Sequence, residues 1–153
     1  MELTDIRKQA VQDSWTLVKA NLRQNAADFF IYFFKNNPGY QSMFVDLADL
    51  SLEELAGHKK LRSHGVRVFY AITSLVDNLD DLDVVATITQ KTTNDHFPRG
   101  VRYQHYENLF TSVLGFLELK LGGAFGQVTK EGWQAVAGAL LGIIKAELAA
   151  LEG

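Results

Sequence analysis

Apolar residues recur at intervals of three and four along most of the chain, which predicts helices. Thr4 is placed to cap a first helix. The inner face of this helix is predicted to carry Ile6, Val11, Trp15 and Val18. The segment 25–36, NAADFFIYFFKN, is apolar on nearly every side, so it is predicted to lie deep in the core. Pro38 and Gly39 then predict a turn.

The middle of the chain carries a helix start signal. Ser51 and Glu54 in SLEE form a capping-box pattern, which predicts a helix that begins near Leu52. The apolar face of this helix is predicted to run through Leu55, Leu61, Gly65, Val68, Ile72 and Leu75.

An acidic run at 77–83, DNLDDLD, is predicted to end that helix and to open the next one. The next segment places Val85, Ile88, Thr92 and His96 at spacings of three or four, so they share one helix face. Its β-branched residues favour a strand when taken alone. The helical spacing continues to His96 and no partner strand is visible, so a helix is predicted. Pro98 and Gly100 are expected to end it.

Two long helices are predicted in the last third of the chain, separated at Gly122 and Gly123. The apolar face of the first carries Tyr106, Phe110, Val113, Leu117 and Leu121. The apolar face of the second carries Trp133, Val136, Leu140, Ile144 and Leu148. The whole pattern predicts an all-α protein with about seven helices.

Composition fits one globular domain over residues 1–153. Hydrophobic residues make up 47% of the chain, and 15 Lys and Arg face 18 Asp and Glu, with the two signs interspersed. Because no segment concentrates basic residues, nucleic acid is not a predicted partner. The absence of cysteine excludes disulfides, thiolate metal sites and cysteine nucleophiles.

The distribution of charged and apolar residues predicts no targeting segment. The N-terminal residues alternate charged and apolar side chains, unlike a signal peptide. No stretch is expected to reach the ~20 apolar residues of a membrane-spanning helix. A cytoplasmic protein with no membrane partner is therefore predicted.

Two histidines occupy comparable places on two neighbouring predicted helices. His64 lies before the acidic run and His96 after it, each roughly 18–23 Å along its helix from the turn. If the helices fold back on each other, the two imidazoles face each other across apolar surfaces. A flat apolar cofactor with a central metal fits that arrangement, and haem iron commonly takes a protein imidazole as ligand. A single histidine is more often a surface or satisfied core residue, and His58 and His105 are predicted to be of that kind.

Several segments, in order and spacing, resemble those of one protein family. They are DSWTLV around Trp15, FFKNNPGYQSMF with Phe34, Pro38 and Phe44, KLRSHGVRVF with His64 and Val68, DHFPRGVRYQHYENLF with His96 and the run Arg99, Gly100 and Val101, and KEGWQAVAGALLG with Trp133. Over essentially the whole chain they resemble the globins. The last segment and DNLDD especially resemble clam and other molluscan haemoglobins.

The resemblance implies a globin fold of about seven to eight helices around one haem b, that is, iron protoporphyrin IX. It implies that His96 is the proximal iron ligand and that its second ring nitrogen bonds to the backbone carbonyl of Thr92. It implies that His64, on the distal side, hydrogen-bonds the bound dioxygen. Such a bond to a partly charged partner contributes about 1.5–3 kcal/mol.

Further cofactor-binding residues follow from the same resemblance. Phe44, Val68 and Val101 are expected against the haem. Phe30 is expected over the ligand, either as a steric gate or as an ordinary core residue. Arg67 and Arg99 each either pair with a haem propionate or remain solvated.

The implied function is reversible binding of dioxygen and other diatomic gases, not enzymatic catalysis. A peroxidase-like or nitric-oxide dioxygenase activity on the same fold, and a gas sensor in which His64 itself ligates iron, remain alternatives. Peroxidases generally tune the proximal imidazole with a carboxylate, but Asp95, next to His96, is predicted to face solvent. A homo-dimer or higher homo-oligomer is plausible by resemblance alone.

Overall fold

Seven α-helices and no strand make up the computed structural model, which describes all 153 residues. The helices are α1 (Asp5–Lys19), α2 (Leu22–Asn36), α3 (Leu52–Leu55), α4 (Lys59–Asp77), α5 (Leu82–His96), α6 (Tyr103–Leu121) and α7 (Gln127–Glu152). Short 3-10 turns occupy Tyr40–Met43, Phe97–Arg99 and Gly122–Ala124. The all-α prediction is confirmed, and the β-branched segment of α5 is helical.

The caps predicted from the sequence are present. The Thr4 hydroxyl accepts a hydrogen bond from the Arg7 amide at 3.3 Å. Ser51 and Glu54 form the reciprocal capping box, with both hydrogen bonds at 3.1 Å. These contacts satisfy amide groups that have no partner inside the helix.

The prediction of one continuous helix from Leu52 to Leu75 is wrong, because the structure has two helices there. The chain leaves α3 after a single turn and re-enters a helix at α4. His58 takes an extended backbone conformation, and its Nδ1 accepts a hydrogen bond from the Lys60 amide at 3.2 Å. His58 is therefore a helix cap, which agrees with its prediction as a satisfied histidine.

The prediction that Ile6 lies on the inner face of α1 is also wrong. Ile6 is 73% exposed, whereas Val11, Trp15 and Val18 are buried. At about 100° per residue, Ile6 lies roughly 140° around the helix from Val11, away from the buried face.

The core is assembled by two packing arrangements. α2 packs across α4, while α1, α5 and α6 pack against α7. The Trp15 ring joins them, with its centroid 5.2 Å from that of Phe69 on α4 and 5.7 Å from that of Trp133 on α7. α4 ends at Asp77 and α5 begins at Leu82, so the acidic run forms the predicted break between them.

The expectation that no segment resembles a membrane span fails for α7. This helix is long and apolar enough to cross a membrane by length and composition alone. Its large apolar residues, such as Trp133 and Ile144, are buried in the core, and its outer face carries small residues such as Gly138 and Ala139. Core helices of soluble proteins pass the same test, so this composition is weak evidence for a membrane segment.

Candidate functional site

The fold brings both candidate histidines to one region. His64 lies in the second turn of α4, and His96 is the last residue of α5. Both side chains are half-buried. The pKa of His64 is lowered to about 4, chiefly by burial and to a smaller extent by the electrostatic effects of Arg67, His96 and Arg99. His64 therefore lies within electrostatic range of all three residues.

His64 stands in an aromatic setting. The ring centroids of Phe30 and Phe44 each lie 4.8 Å from that of His64, in edge-to-face geometry. Phe30 is only 2% exposed. Two predicted site residues are thus in direct contact with His64, and the imidazole is kept largely from water on these sides.

The close crossing of α2 and α4 sets this arrangement. A Cβ added to Gly65 would lie 3.2 Å from the backbone carbon, oxygen and Cβ of Ala26, so the two helix backbones nearly touch there. Gly65 follows His64 directly, and Ala26 lies one turn before Phe30. The missing side chain at Gly65 therefore lets the Phe30 ring reach His64.

His96 is oriented by its own helix. Its Nδ1 lies 2.8 Å from the backbone carbonyl oxygen of Thr92, as expected from the sequence. A carbonyl can only accept, so Nδ1 carries the proton and Nε2 keeps its lone pair. Nε2 makes no hydrogen bond within the protein. This is the tautomer that a metal-binding imidazole needs.

Charged groups around the site divide into free and paired ones. Arg67 and Arg99 are exposed and form no ion pair or hydrogen bond with the protein. Asp95 instead pairs with Lys91 at 3.0 Å on the outer side of α5. The prediction that Asp95 faces solvent is confirmed.

The two predicted valines of the site, Val68 and Val101, are half-buried and lie in different parts of the chain. Val68 packs against the main core one turn after His64. Val101 packs with Phe97 against a smaller cluster formed by Tyr106, Ile144 and Leu148.

Arg102 was missed by the sequence reasoning. Its guanidinium lies 3.8 Å from the Phe97 ring centroid and donates to the carbonyls of Phe97 and Val101 at 2.9 and 3.1 Å. It therefore fixes the turn that follows His96. The sequence did offer one signal for Arg102. It directly precedes α6 and follows Phe97 by only five residues.

No group of three or more His, Cys, Asp or Glu side chains is arranged to hold a metal anywhere in the chain. The site thus offers one oriented imidazole, a second imidazole in an aromatic setting, apolar surface and two free guanidinium groups.

Comparison with known proteins identifies the class. The family model "Globin" matches residues 27–144. A "Globin" of Nerita albicilla is 33% identical over 92% of this chain and 90% of its own length. "Hemoglobin-3" of Phacoides pectinatus is 30% identical over 76% of each chain, and "Globin-2 B chain" of Anadara inaequivalvis is 22% identical over 93% of this chain and 90% of its own. The chain belongs to the globin family, and its relatives include molluscan haemoglobins.

Membership of this family implies a haem cofactor, and the side chains present fit one. A porphyrin supplies four nitrogens to its iron, so a single free Nε2, as His96 offers, is enough from the protein. The propionates of the porphyrin are anionic, and the free guanidinium groups of Arg67 and Arg99 suit them.

Proposed function

We propose that residues 1–153 form one globin domain that holds haem b on His96 and binds dioxygen and other diatomic gases reversibly. The oriented His96 imidazole carries this proposal, because its Nδ1 is engaged at 2.8 Å by Thr92 and its Nε2 is free to ligate. When bound, the haem iron supplies reversible coordination of a gas, which no side chain can provide.

His64 acts as the hydrogen-bond donor to the ligand. Its pKa of about 4 means that the imidazole is neutral at physiological pH. A neutral imidazole carries one N–H, which it can direct at a partly negative dioxygen. A charged imidazole would instead be driven toward water by the cost of burial.

The surrounding residues exclude water and orient the cofactor. Phe30 and Phe44 cover His64, and Val68 and Val101 add apolar surface. Water exclusion protects a ferrous centre from oxidation. Arg67 and Arg99 bind the propionates at the rim.

The environment of His96 favours a carrier over a haem enzyme. Peroxidase-type sites place a carboxylate against the proximal imidazole to make it more basic. Here the partner is the neutral Thr92 carbonyl, and Asp95 is held by Lys91. We therefore propose a non-enzymatic role in transport, storage or facilitated diffusion in the cytoplasm, without nucleic-acid or membrane partners. A homo-dimer or higher homo-oligomer belongs to the same proposal.

Absorption spectra of the purified protein test the function. We expect a Soret band of one haem per chain, a single broad visible band in the ferrous unliganded form, and a reversible change on adding and removing dioxygen. Split visible bands without gas would instead assign His64 as a second iron ligand and support the sensor. Turnover with peroxide well above that of free haem would support the enzyme.

A further inference from the structure

The chain on both sides of His96 is held by the C-terminal end of α7. Asn94, two residues before His96, donates a hydrogen bond from its Nδ2 to Glu147 Oε1 at 2.6 Å. On the other side, Arg102 Nε lies 3.6 Å from Glu152 Oε1. Glu147 and Glu152 are the last two carboxylates of α7, so one helix end contacts the chain before and after His96.

Apolar packing lies between these two polar contacts. Phe97 and Val101, in the turn after His96, pack on a buried cluster that includes Ile144 and Leu148 of α7. Ile144 is 2% exposed and Leu148 is 5% exposed. Residues three or four apart share a helix face, so the two carboxylates lie beside this apolar surface on α7. The turn is thus packed on α7 along its middle and tied to it at both ends.

Neither carboxylate has a partner on α7 itself, because the contact of Glu147 is with Asn94 and that of Glu152 is with Arg102. Glu152 also lies in the last turn of α7, where the negative end of the helix dipole disfavours an acidic side chain. Removal of the two carboxylates should therefore leave α7 intact, and any effect on His96 would pass through Asn94 and Arg102.

His96 needs support of this kind because it is the last residue of α5. Its Nδ1–H bonds to the Thr92 carbonyl one turn earlier, at 2.8 Å, and this bond exists only while the last turn of α5 stays helical. Helix ends fray. Contacts that hold the chain on both sides of His96 oppose this fraying and keep Nδ1 on the carbonyl.

We infer that Glu147 and Glu152 are positioning residues for His96. Through Asn94 and Arg102 they keep the imidazole in the tautomer and orientation that leave Nε2 free to ligate. The end of α7 therefore takes part in the site, although none of the predicted site residues lies on α7. This inference rests on the proposed role of His96 as the haem ligand.

The first measurement is 15N NMR of the haem-free protein in slightly alkaline solution, which shows which nitrogen of His96 carries the proton. The tautomer follows the hydrogen bond that the ring makes, so we expect Nδ1–H to dominate in the unmodified protein. In the double variant Glu147→Ala, Glu152→Ala, the ratio of Nδ1–H to Nε2–H should fall roughly threefold, the scale expected for two exposed contacts. An unchanged ratio would overturn the inference.

Glu147→Gln combined with Glu152→Ala tests rescue. The glutamine oxygen can still accept the hydrogen bond from Asn94, so this variant should recover part of the lost ratio. A ratio as low as that of the double variant would show that the Asn94 bond does not position His96.

Glu131→Ala is the matched control. Glu131 also lies on α7 and pairs with Arg7 of α1 at 3.6 Å, the same distance as in the Arg102–Glu152 pair. It is about 24 Å along the helix from Glu147. Its removal should leave the tautomer ratio of His96 unchanged. An equal fall in the ratio would mean that any lost contact of α7 has this effect, and the inference would fail.

Resonance Raman spectroscopy of the haem-loaded, ferrous, unliganded protein gives a second readout, the iron–imidazole stretching frequency. An imidazole with a weakened Nδ1–H bond is a weaker donor, so this frequency should be lower in the double variant and unchanged in Glu131→Ala. Equal frequencies in both variants would also overturn the inference. A protein without a Soret band would instead overturn the proposed function, while the tautomer ratio of the haem-free protein would still decide whether the carboxylates position His96.

Discussion

The helices that present the two histidines are held in place by different means. α4, on the His64 side, is fixed by aromatic packing and by a backbone crossing. Phe69 is 2% exposed, and its ring centroid lies 5.2 Å from Trp15 and 5.8 Å from Phe29. Full burial of one such side chain contributes about 1.5–3 kcal/mol.

α5, on the His96 side, has few such contacts. Its buried residues are Val85, Thr89 and Thr93. The hydroxyls of Thr89 and Thr93 donate to carbonyls four residues earlier, each at 2.8 Å. These bonds stay within the helix and slightly weaken it, so they do not tie α5 to its neighbours.

We therefore expect α4 and α5, the two walls of the site, to depend unequally on the cofactor. The His64 wall is pre-formed by the core. We expect α5, the His96 wall, to gain a large part of its stability when His96 binds haem.

Replacing His96 should have the largest effect. His96→Gly removes the only oriented imidazole with a free Nε2, so we expect purified protein to lose stoichiometric haem, measured as Soret absorbance per chain. Imidazole added to the buffer should restore part of the absorbance. His105→Gln is the control and should retain haem, because glutamine can still accept the Arg102 amide bond that His105 Nδ1 accepts at 2.9 Å. Full haem content in His96→Gly would exclude His96 as the iron ligand.

Replacing His64 should leave haem in place and change the ligand kinetics. His64→Leu removes a hydrogen bond worth about 1.5–3 kcal/mol, which predicts dioxygen dissociation about 10–100-fold faster. Carbon monoxide is less polar in its bound form and should dissociate at nearly the original rate. If stopped-flow measurements show equal acceleration for both gases, the effect of His64 is steric and the hydrogen bond is excluded.

Hydrogen exchange of the haem-free protein compares the two walls directly. We expect amides of α5 to exchange faster than those of α2 and the first half of α4, because Val85 is the only buried aliphatic residue of α5 and its other buried residues are threonines. Haem addition should protect α5 more than α4. Equal protection of both helices in the haem-free protein would contradict the asymmetry.

The acid titration of His64 tests the electrostatics of the pre-formed wall. Burial and nearby positive charge disfavour the charged imidazole, so its pKa falls from 6.5 to about 4. The rate of carbon monoxide association should therefore stay constant from pH 8 to about 5 and change only near pH 4. Arg67→Gln removes one of these charges, so its midpoint should lie higher. A midpoint near 6.5 in the unmodified protein would show that His64 is solvated.

Periodicity alone was enough to predict most of the helices. It also placed His64 and His96 each on the apolar face of its own helix, because apolar spacing indicates which side of a helix is buried. It could not predict the break between α3 and α4. That break depends on the His58 cap, and histidine is not a common capping residue. Nor could it predict the contact of Gly65 with Ala26, since close approach of two backbones is a property of the pair of helices.

The roles of individual charged residues were also beyond the sequence. Arg67, Arg99 and Arg102 are equivalent as residue types, yet only Arg102 is held by the fold. The difference comes from the turn after His96, whose carbonyls point toward that one guanidinium. Long flexible side chains reveal their partners only when the backbone around them is known.

The smallest predicted effect concerns a buried hydroxyl without a hydrogen-bond partner, that of Tyr106 on the His96 side. Burial raises the pKa of Tyr106 to about 12, against a smaller opposing effect of the nearby Thr93 hydroxyl. The Tyr106 hydroxyl is buried, and no atom lies in good hydrogen-bond geometry to it. An unsatisfied buried hydroxyl costs about 1–3 kcal/mol, so Tyr106→Phe should raise the free energy of unfolding by about 1 kcal/mol.

The matched control is the same substitution at a satisfied tyrosine. The Tyr40 hydroxyl accepts a hydrogen bond from Asn108 Nδ2 at 2.5 Å. Tyr40→Phe should therefore lower the free energy of unfolding by about 1 kcal/mol, the opposite sign from Tyr106→Phe. Urea denaturation of the two variants without haem measures both changes in the free energy of unfolding. If Tyr106→Phe destabilises the protein as much as Tyr40→Phe does, the Tyr106 hydroxyl has a hydrogen-bond partner in solution. The His96 side would then contain no unsatisfied buried hydroxyl.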